Sequence, residues 1–173
     1  PPPPPPPFFF PPEPAKPDPL WSRGLGDVYK RQLQCWYADE GCNYKYSGKM
    51  LERNNWHPTL LEIKSSIEFI TSQKYNSVLA NYYRDGSDSM GWHSDDESML
   101  DKDSAIASVS LGQERPLHFK HKNQDISFAI DQSHGSVIVM DGDTQKYWKH
   151  CIKKSKKLMK PRLNLTFRTI ITA

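Results

Sequence analysis

His93 and Asp95 stand two residues apart in the run Gly91-Trp92-His93-Ser94-Asp95-Asp96-Glu97. On an extended segment, residues i and i+2 point the same way, so an imidazole and a carboxylate would share one edge. Two imidazoles and one carboxylate are the donor set of a mononuclear non-haem iron centre with open coordination positions. The same donors also suit zinc. A third donor must come from elsewhere in the chain. His150 is the leading candidate, and His134, at the start of an apolar run, is its serious rival. His57 precedes a helical pattern, and His118 and His121 lie in a basic run. A bare His-x-Asp pair is more often structural than metal-binding. Its place after the turn-rich Asp85-Gly86-Ser87-Asp88, between two strand-like runs, favours the metal.

A second constellation lies near the C-terminus. In Leu163–Ile171, Leu163, Leu165 and Phe167 fall on one face, while Arg162, Asn164, Thr166 and Arg168 fall on the other. The ordinary reading is a polar face in water. However, Arg168 sits in the otherwise apolar run 167–171, which implies burial. A buried guanidinium needs a carboxylate or phosphate, and its fork matches a carboxylate with two hydrogen bonds. Asn81 and Tyr83 alternate likewise on the strand before the metal loop, where both can hydrogen-bond a small acid while Tyr82 packs outward. A cationic strand beside the donors favours iron with a dicarboxylate cosubstrate over zinc.

These residues need a scaffold. Leu60, Ile63, Ile67 and Ile70 recur at helical spacing and predict a helix over 58–72, with Pro58 in its first turn. Short strand-like runs follow at 78–83, 105–111, 117–120, 126–130, 136–140 and 163–171, with Gly112, Asp125 and Gly142-Asp143 as turns. The expected class is mostly β with a flanking helix (α+β), a double-stranded β-helix or jelly roll.

Composition limits the rest. Twelve of the 15 prolines lie in residues 1–19, so residues 1–32 read as a proline-rich or non-native extension outside the fold. Residues 33–173 read as one catalytic domain, with 33–56 as a ring-rich lid. From Lys149 to Arg162 there are seven Lys/Arg and no acid, a stretch suited to a polyanion, although a solvated loop is the plainer reading. Cys35, Cys42 and Cys151 are odd in number and widely spaced, which predicts a reducing, intracellular compartment: nucleus in a eukaryote, cytoplasm in a bacterium. No apolar run approaches the roughly 20 residues of a membrane span, and the N-terminus lacks the order of a signal peptide. No membrane partner is expected, and a monomer is.

Asn81-Tyr82-Tyr83-Arg84-Asp85-Gly86, His93-Ser94-Asp95-Asp96-Glu97, Ile106 to Gly112, His134-Gly135-Ser136 and Pro161 to Arg168 together resemble the AlkB family. Those are Fe(II)- and 2-oxoglutarate-dependent dioxygenases that dealkylate nucleic acid, and the likeness runs from about Leu33 to Ile171. The resemblance implies iron on His93, Asp95 and His150, which sets His134 aside. It implies 2-oxoglutarate contacts from Asn81, Tyr83, Arg162, Asn164 and Arg168. Arg168, helped by Tyr83, is expected at the distal carboxylate. Arg162 is expected near the iron, paired with Glu97.

It also implies demethylation of 1-methyladenine and 3-methylcytosine in DNA, and in RNA as a further substrate, consuming O2 and releasing succinate, CO2 and formaldehyde. Tyr44, Tyr46 and Trp56 are the candidates for the lid over the base, with Glu97 nearby; Trp36 and Tyr37 are expected in the core. Lys45, Lys49, Arg53, Arg84, Lys120, Lys122 and the lysines of 149–160 are candidates for phosphates. A zinc-filled, non-catalytic nucleic-acid-binding jelly roll and a same-fold dioxygenase of protein side chains are the competing readings.

Overall fold

The computed structural model describes residues 33–46 and 48–172, without the side chain of Lys49. The extension expected over 1–32 lies outside the described residues. In chain order the elements are β1 (Leu33–Ala38), β2 (Lys45–Tyr46), β3 (Lys49–Met50), β4 (Arg53–Asn54), α1 (Pro58–Thr71), β5 (Ser77–Tyr83), β6 (Met90–His93), β7 (Ile106–Gly112), β8 (Arg115–His121), β9 (Ser127–Gln132), β10 (Ser136–Met140), α2 (Thr144–Tyr147), β11 (Trp148–Ile152) and β12 (Arg162–Arg168).

Two sheets face each other as a jelly roll. The larger has the order β10-β7-β12-β5-β1-β4, and the smaller β6-β11-β8-β9; β2 and β3 form a separate hairpin. The period-2 alternation sorts each large-sheet strand. Val78, Ala107, Val109, Leu165 and Phe167 pack outward under Leu60, Ile63 and Ile67 of α1. The opposite faces of the same strands carry polar side chains between the sheets. On that side, Tyr83, Met90, Ile106, Leu117, Phe119, Met140 and Ile152 form the apolar floor and walls.

His57 caps α1, its Nδ1 accepting the Thr59 N–H at 3.3 Å, and Pro58 fills the first turn. Ile70, expected on the buried stripe, is instead 66% exposed. The chain leaves α1 through Ser72 (φ 54) and folds back, so that Tyr75 packs on Phe167 and takes that space.

Residues 33–38 differ from the expected lid. Their alternation makes them strand β1, paired along its length with β5, and Trp36 is buried there. Beyond α1, two strands lie outside the expected runs, β6 and β11, and these hold His93 and His150. No helix among the described residues is long and apolar enough to cross a membrane.

Candidate active site

His93 and His150 are directly opposite each other on the antiparallel pair β6–β11, their ring centroids 4.2 Å apart. Asp95 lies two residues past the end of β6. Its loop is tied to the α2–β11 region: the Asp95 N–H donates to Gln145 Oε1 at 2.8 Å, and Ser94 Oγ donates to the Trp148 carbonyl at 2.8 Å. One donor atom from each of His93, Asp95 and His150 lies within 4.8 Å of the others.

His93 Nδ1 sits 2.8 Å from the Gly91 carbonyl, which places the proton on Nδ1 and leaves the Nε2 lone pair free. That Nε2 is 3.7 Å from Asp95 Oδ1. Asp95 Oδ1 is buried and has no hydrogen-bond partner. A buried carboxylate oxygen facing imidazole nitrogens is completed by a cation, so the set fits a divalent iron. His134 and His121 are engaged elsewhere. His134 Nδ1 accepts the Gly112 N–H at 2.8 Å, at the opposite end of β7 from the donors, and His121 stacks on Tyr147.

Asp95 is also the charge link between the sheets. Its Oδ2 accepts Arg168 Nη2 at 2.7 Å and Nε at 3.3 Å, both residues being buried. Burial alone would raise the Asp95 pKa, but the guanidinium of Arg168, then His150 and His93, hold it well below the usual carboxylate range. Burial, then the neighbouring His93, push His150 down to about 4.

The sign of the resulting pH dependence follows. The unfolded imidazole takes its proton near pH 6.5 and the folded one only near 4, so the unfolded state binds more protons between them. The contribution of His150 is complete above pH 6.5 and is lost as pH falls toward 4, by up to about 3 kcal/mol. Urea unfolding of metal-free protein should show this fall, and His150→Gln should flatten it. An unchanged slope in the variant would assign the fall to another group.

The cavity beside the donors encloses ≈ 430 Å³ of space, part of it open to solvent. Asn81 and Tyr83 of β5, Ser108 of β7 and Arg162, Asn164, Thr166 and Arg168 of β12 all line it. Register explains the convergence: Asn164 lies opposite Asn81 on one side and Ser110 on the other, and Arg162 lies opposite Tyr83. Asn164 Nδ2 donates to Ser108 Oγ at 2.8 Å and to the Val109 carbonyl at 2.9 Å.

The two arginines occupy the reverse of their expected positions. Arg168, not Arg162, pairs with the donor Asp95, and Glu97 lies on the Arg168 side, not beside Arg162. Arg162 is at the far end of β12, 1% exposed, with Nε on Ser110 Oγ and Nη2 on Gln132 Oε1, both at 2.9 Å. Its Nη1 is buried without a partner, and its guanidinium carbon lies 5.1 Å from the centre of the Tyr83 ring. A buried guanidinium with one unused donor and no acid beside it is built for a carboxylate brought by a ligand. Arg162 with Tyr83, rather than Arg168, therefore stands at the end of the cavity away from the donors. Alternation puts both arginines on one face but does not tell which end of the strand meets the metal loop.

The model of the 2OG-Fe(II) oxygenase superfamily matches residues 23–168. The chain belongs to that superfamily. Fe(II) and 2-oxoglutarate are the cofactor and cosubstrate of its 2OG-Fe(II) oxygenases, and the donors and cradle above fit both. The chain is 39% identical over 168 residues to the human alpha-ketoglutarate-dependent dioxygenase alkB homolog 3, covering 88% of this chain and 58% of that protein. It is 38% identical over 146 residues to the human DNA oxidative demethylase ALKBH2, covering 80% and 56%, and 32% identical over 183 residues to the ALKBH2 of Arabidopsis thaliana. This superfamily member spans a little over half the length of these relatives. The solved structure of OsALKBH1 shares the fold with a TM-score of 0.58 at 21% identity, over 83% of this chain and 82% of that one.

The oxygenase's expected lid residues part company. Tyr46 lines the cavity, and Tyr44 packs behind it, ring centroids 5.7 Å apart, both buried. The Tyr44 hydroxyl and Glu97 Oε2 are buried without partners. Burial and the charge of Asp95 raise the Glu97 pKa, against the lowering pull of Arg168. Trp56 does not join them: it packs with Tyr37 and Leu60 on the helix side, its Nε1 donating to Asp39 at 2.6 Å. The turn at 55–57 points the ring toward α1, which ring composition alone does not disclose.

Three of the expected phosphate contacts are otherwise engaged. Arg84 grips the fully buried Asp88 through Nε and Nη2, Lys122 reaches the Gln145 carbonyl, and Arg53 Nη1 donates to the Ala38 carbonyl and Asn55 Oδ1. Lys120 and Lys153 flank the half-exposed Trp92 ring at 4.7 and 5.9 Å. Gln132 and Gln145 carry no motif signal, because only strand register and loop closure bring them to the site.

Proposed function

We propose that this chain oxidatively demethylates N-alkylated bases, 1-methyladenine and 3-methylcytosine, in DNA, with RNA as a second substrate. The observation that supports it most is the coincidence, in one cavity, of a buried unpartnered Asp95 oxygen between two histidines and a buried unpartnered Arg162 nitrogen at the far end. In this reading His93, Asp95 and His150 hold the iron. Arg162 and Tyr83 hold the distal carboxylate of 2-oxoglutarate, and Asn81, Asn164 and Arg168 line the path back to the metal. When bound, Fe(II) with O2 and 2-oxoglutarate supplies the oxidation, giving succinate, CO2 and a hydroxymethyl group that leaves as formaldehyde.

The chain's own work is positioning and charge. Arg168 favours the ionised form of Asp95, the form that holds a divalent cation. Tyr46 faces the cavity where a base taken out of its stack would enter, with Tyr44 and Glu97 packed behind it. Lys120, Lys149, Lys153 and the exposed lysines to Lys160 are left for the phosphates.

The assay is succinate and formaldehyde release with Fe(II), ascorbate and 2-oxoglutarate over methylated single- and double-stranded DNA and RNA. Turnover that rises with 1-methyladenine or 3-methylcytosine oligonucleotides is expected. Turnover with peptides alone would move the reading to a protein oxygenase. Tight oligonucleotide binding with no succinate from iron-loaded protein would make it a binding module.

A further inference from the structure

Arg115 is buried as deeply as the cavity's own arginines, 2% exposed, yet it lines no part of the cavity. Its donors go to backbone on two separate loops. Nη1 donates to the Asp85 carbonyl at 3.1 Å, and Nη2 to the carbonyls of Asp88 at 3.1 Å and Lys153 at 2.7 Å. The two loops also meet directly: the Ser155 N–H donates to the Gly86 carbonyl at 2.7 Å. Gly86 is packed so closely that a Cβ there would stand 2.6 Å from the Ser155 carbonyl oxygen.

This clamp is joined to the Arg162 end by two routes. The Tyr83 ring lies between the guanidinium groups, Arg115 at 5.8 Å and Arg162 at 5.1 Å from its centre. Arg115 also pairs in register with Gln132, whose Oε1 accepts Arg162 Nη2. No substrate or metal donor is touched.

We propose that Arg115 is a positioning residue for the dicarboxylate end of the site: by locking the 85–88 and 153–155 loops against Tyr83, it fixes where Arg162 aims its free Nη1. This rests on the assignment of 2-oxoglutarate to that cavity. Burying a guanidinium to satisfy backbone carbonyls is costly, and an apolar side chain would fill the space more cheaply. What the fork adds is a fixed three-point geometry that lysine cannot copy.

The test is steady-state kinetics of full-length Arg115→Met and Arg115→Lys with 2-oxoglutarate varied, alongside calorimetric 2-oxoglutarate binding to wild type. Arg115→Met is expected to raise the KM for 2-oxoglutarate about tenfold with kcat within about twofold, since small misplacements of a positioning group cost on this order or more. Arg115→Lys should fall between. If the arginine variants do not fold, Gly86→Ala, which pries the same loops apart, should raise the same KM. An unchanged KM in a folded variant, or a fall in kcat alone, overturns the role. Failure of wild type to bind 2-oxoglutarate would instead overturn the assignment of the cavity itself.

Discussion

Asp95→Ala is expected to abolish iron binding and 2-oxoglutarate turnover and also to destabilise the fold by about 3–5 kcal/mol. Most lost metal ligands cost activity alone. Here the carboxylate also neutralises Arg168, which is 3% exposed and donates two hydrogen bonds to it. Removing Asp95 leaves a buried cation unpaired, and the large penalty comes from there. A companion variant separates the two losses. In Asp95→Ala/Arg168→Met the stability should return, because replacing a whole buried pair with apolar groups is often neutral. The turnover should not return. Iron content and urea midpoints read both. Normal iron content in Asp95→Ala would show that the metal sits elsewhere.

Arg162→Met is expected to raise the KM for 2-oxoglutarate by about a hundredfold, roughly 3 kcal/mol, while leaving iron affinity nearly intact. The size reflects a charge-assisted contact in a site that excludes water. Arg168→Met should do the opposite, weakening the metal more than the cosubstrate. The pair of variants therefore tests the polarity of β12 in the site. If Arg168→Met raised the KM more than Arg162→Met, the distal carboxylate would belong at the metal-proximal end, and the cavity geometry would be misread.

Much of this site is legible in the residues, for specific reasons. The faces of β5 and β12 follow from period-2 alternation, and that alone brings Asn81, Tyr83, Asn164 and both arginines into one interior. The spacing of His93 and Asp95 suggests a shared metal edge, although the structure achieves it differently: His93 ends a strand, and Asp95 is held by Gln145 in the following loop. Pairing of His93 with His150 depends on the register of β6 with β11, two short strands without a hydrophobic run of their own. Which arginine meets the metal depends on how the two sheets are stacked, and no local pattern encodes that. Trp56 shows the same limit from the other side, since an aromatic ring beside a lid sequence packs wherever the next turn points it. The clamp at Arg115 is hidden because its partners are main-chain carbonyls, which every sequence has.

Among the residues lining the cavity, His93 is the one that is not buried; Arg162, at the other extreme, is 1% exposed. The chamber is therefore a cul-de-sac with its mouth at the metal. Traffic through a single mouth has a queue: the small acid must pass the histidines before a nucleobase covers them, and its spent form can leave only after the base has gone. Kinetics should accordingly be ordered, with an excess of oligonucleotide slowing turnover at low 2-oxoglutarate by covering the entrance beside His93.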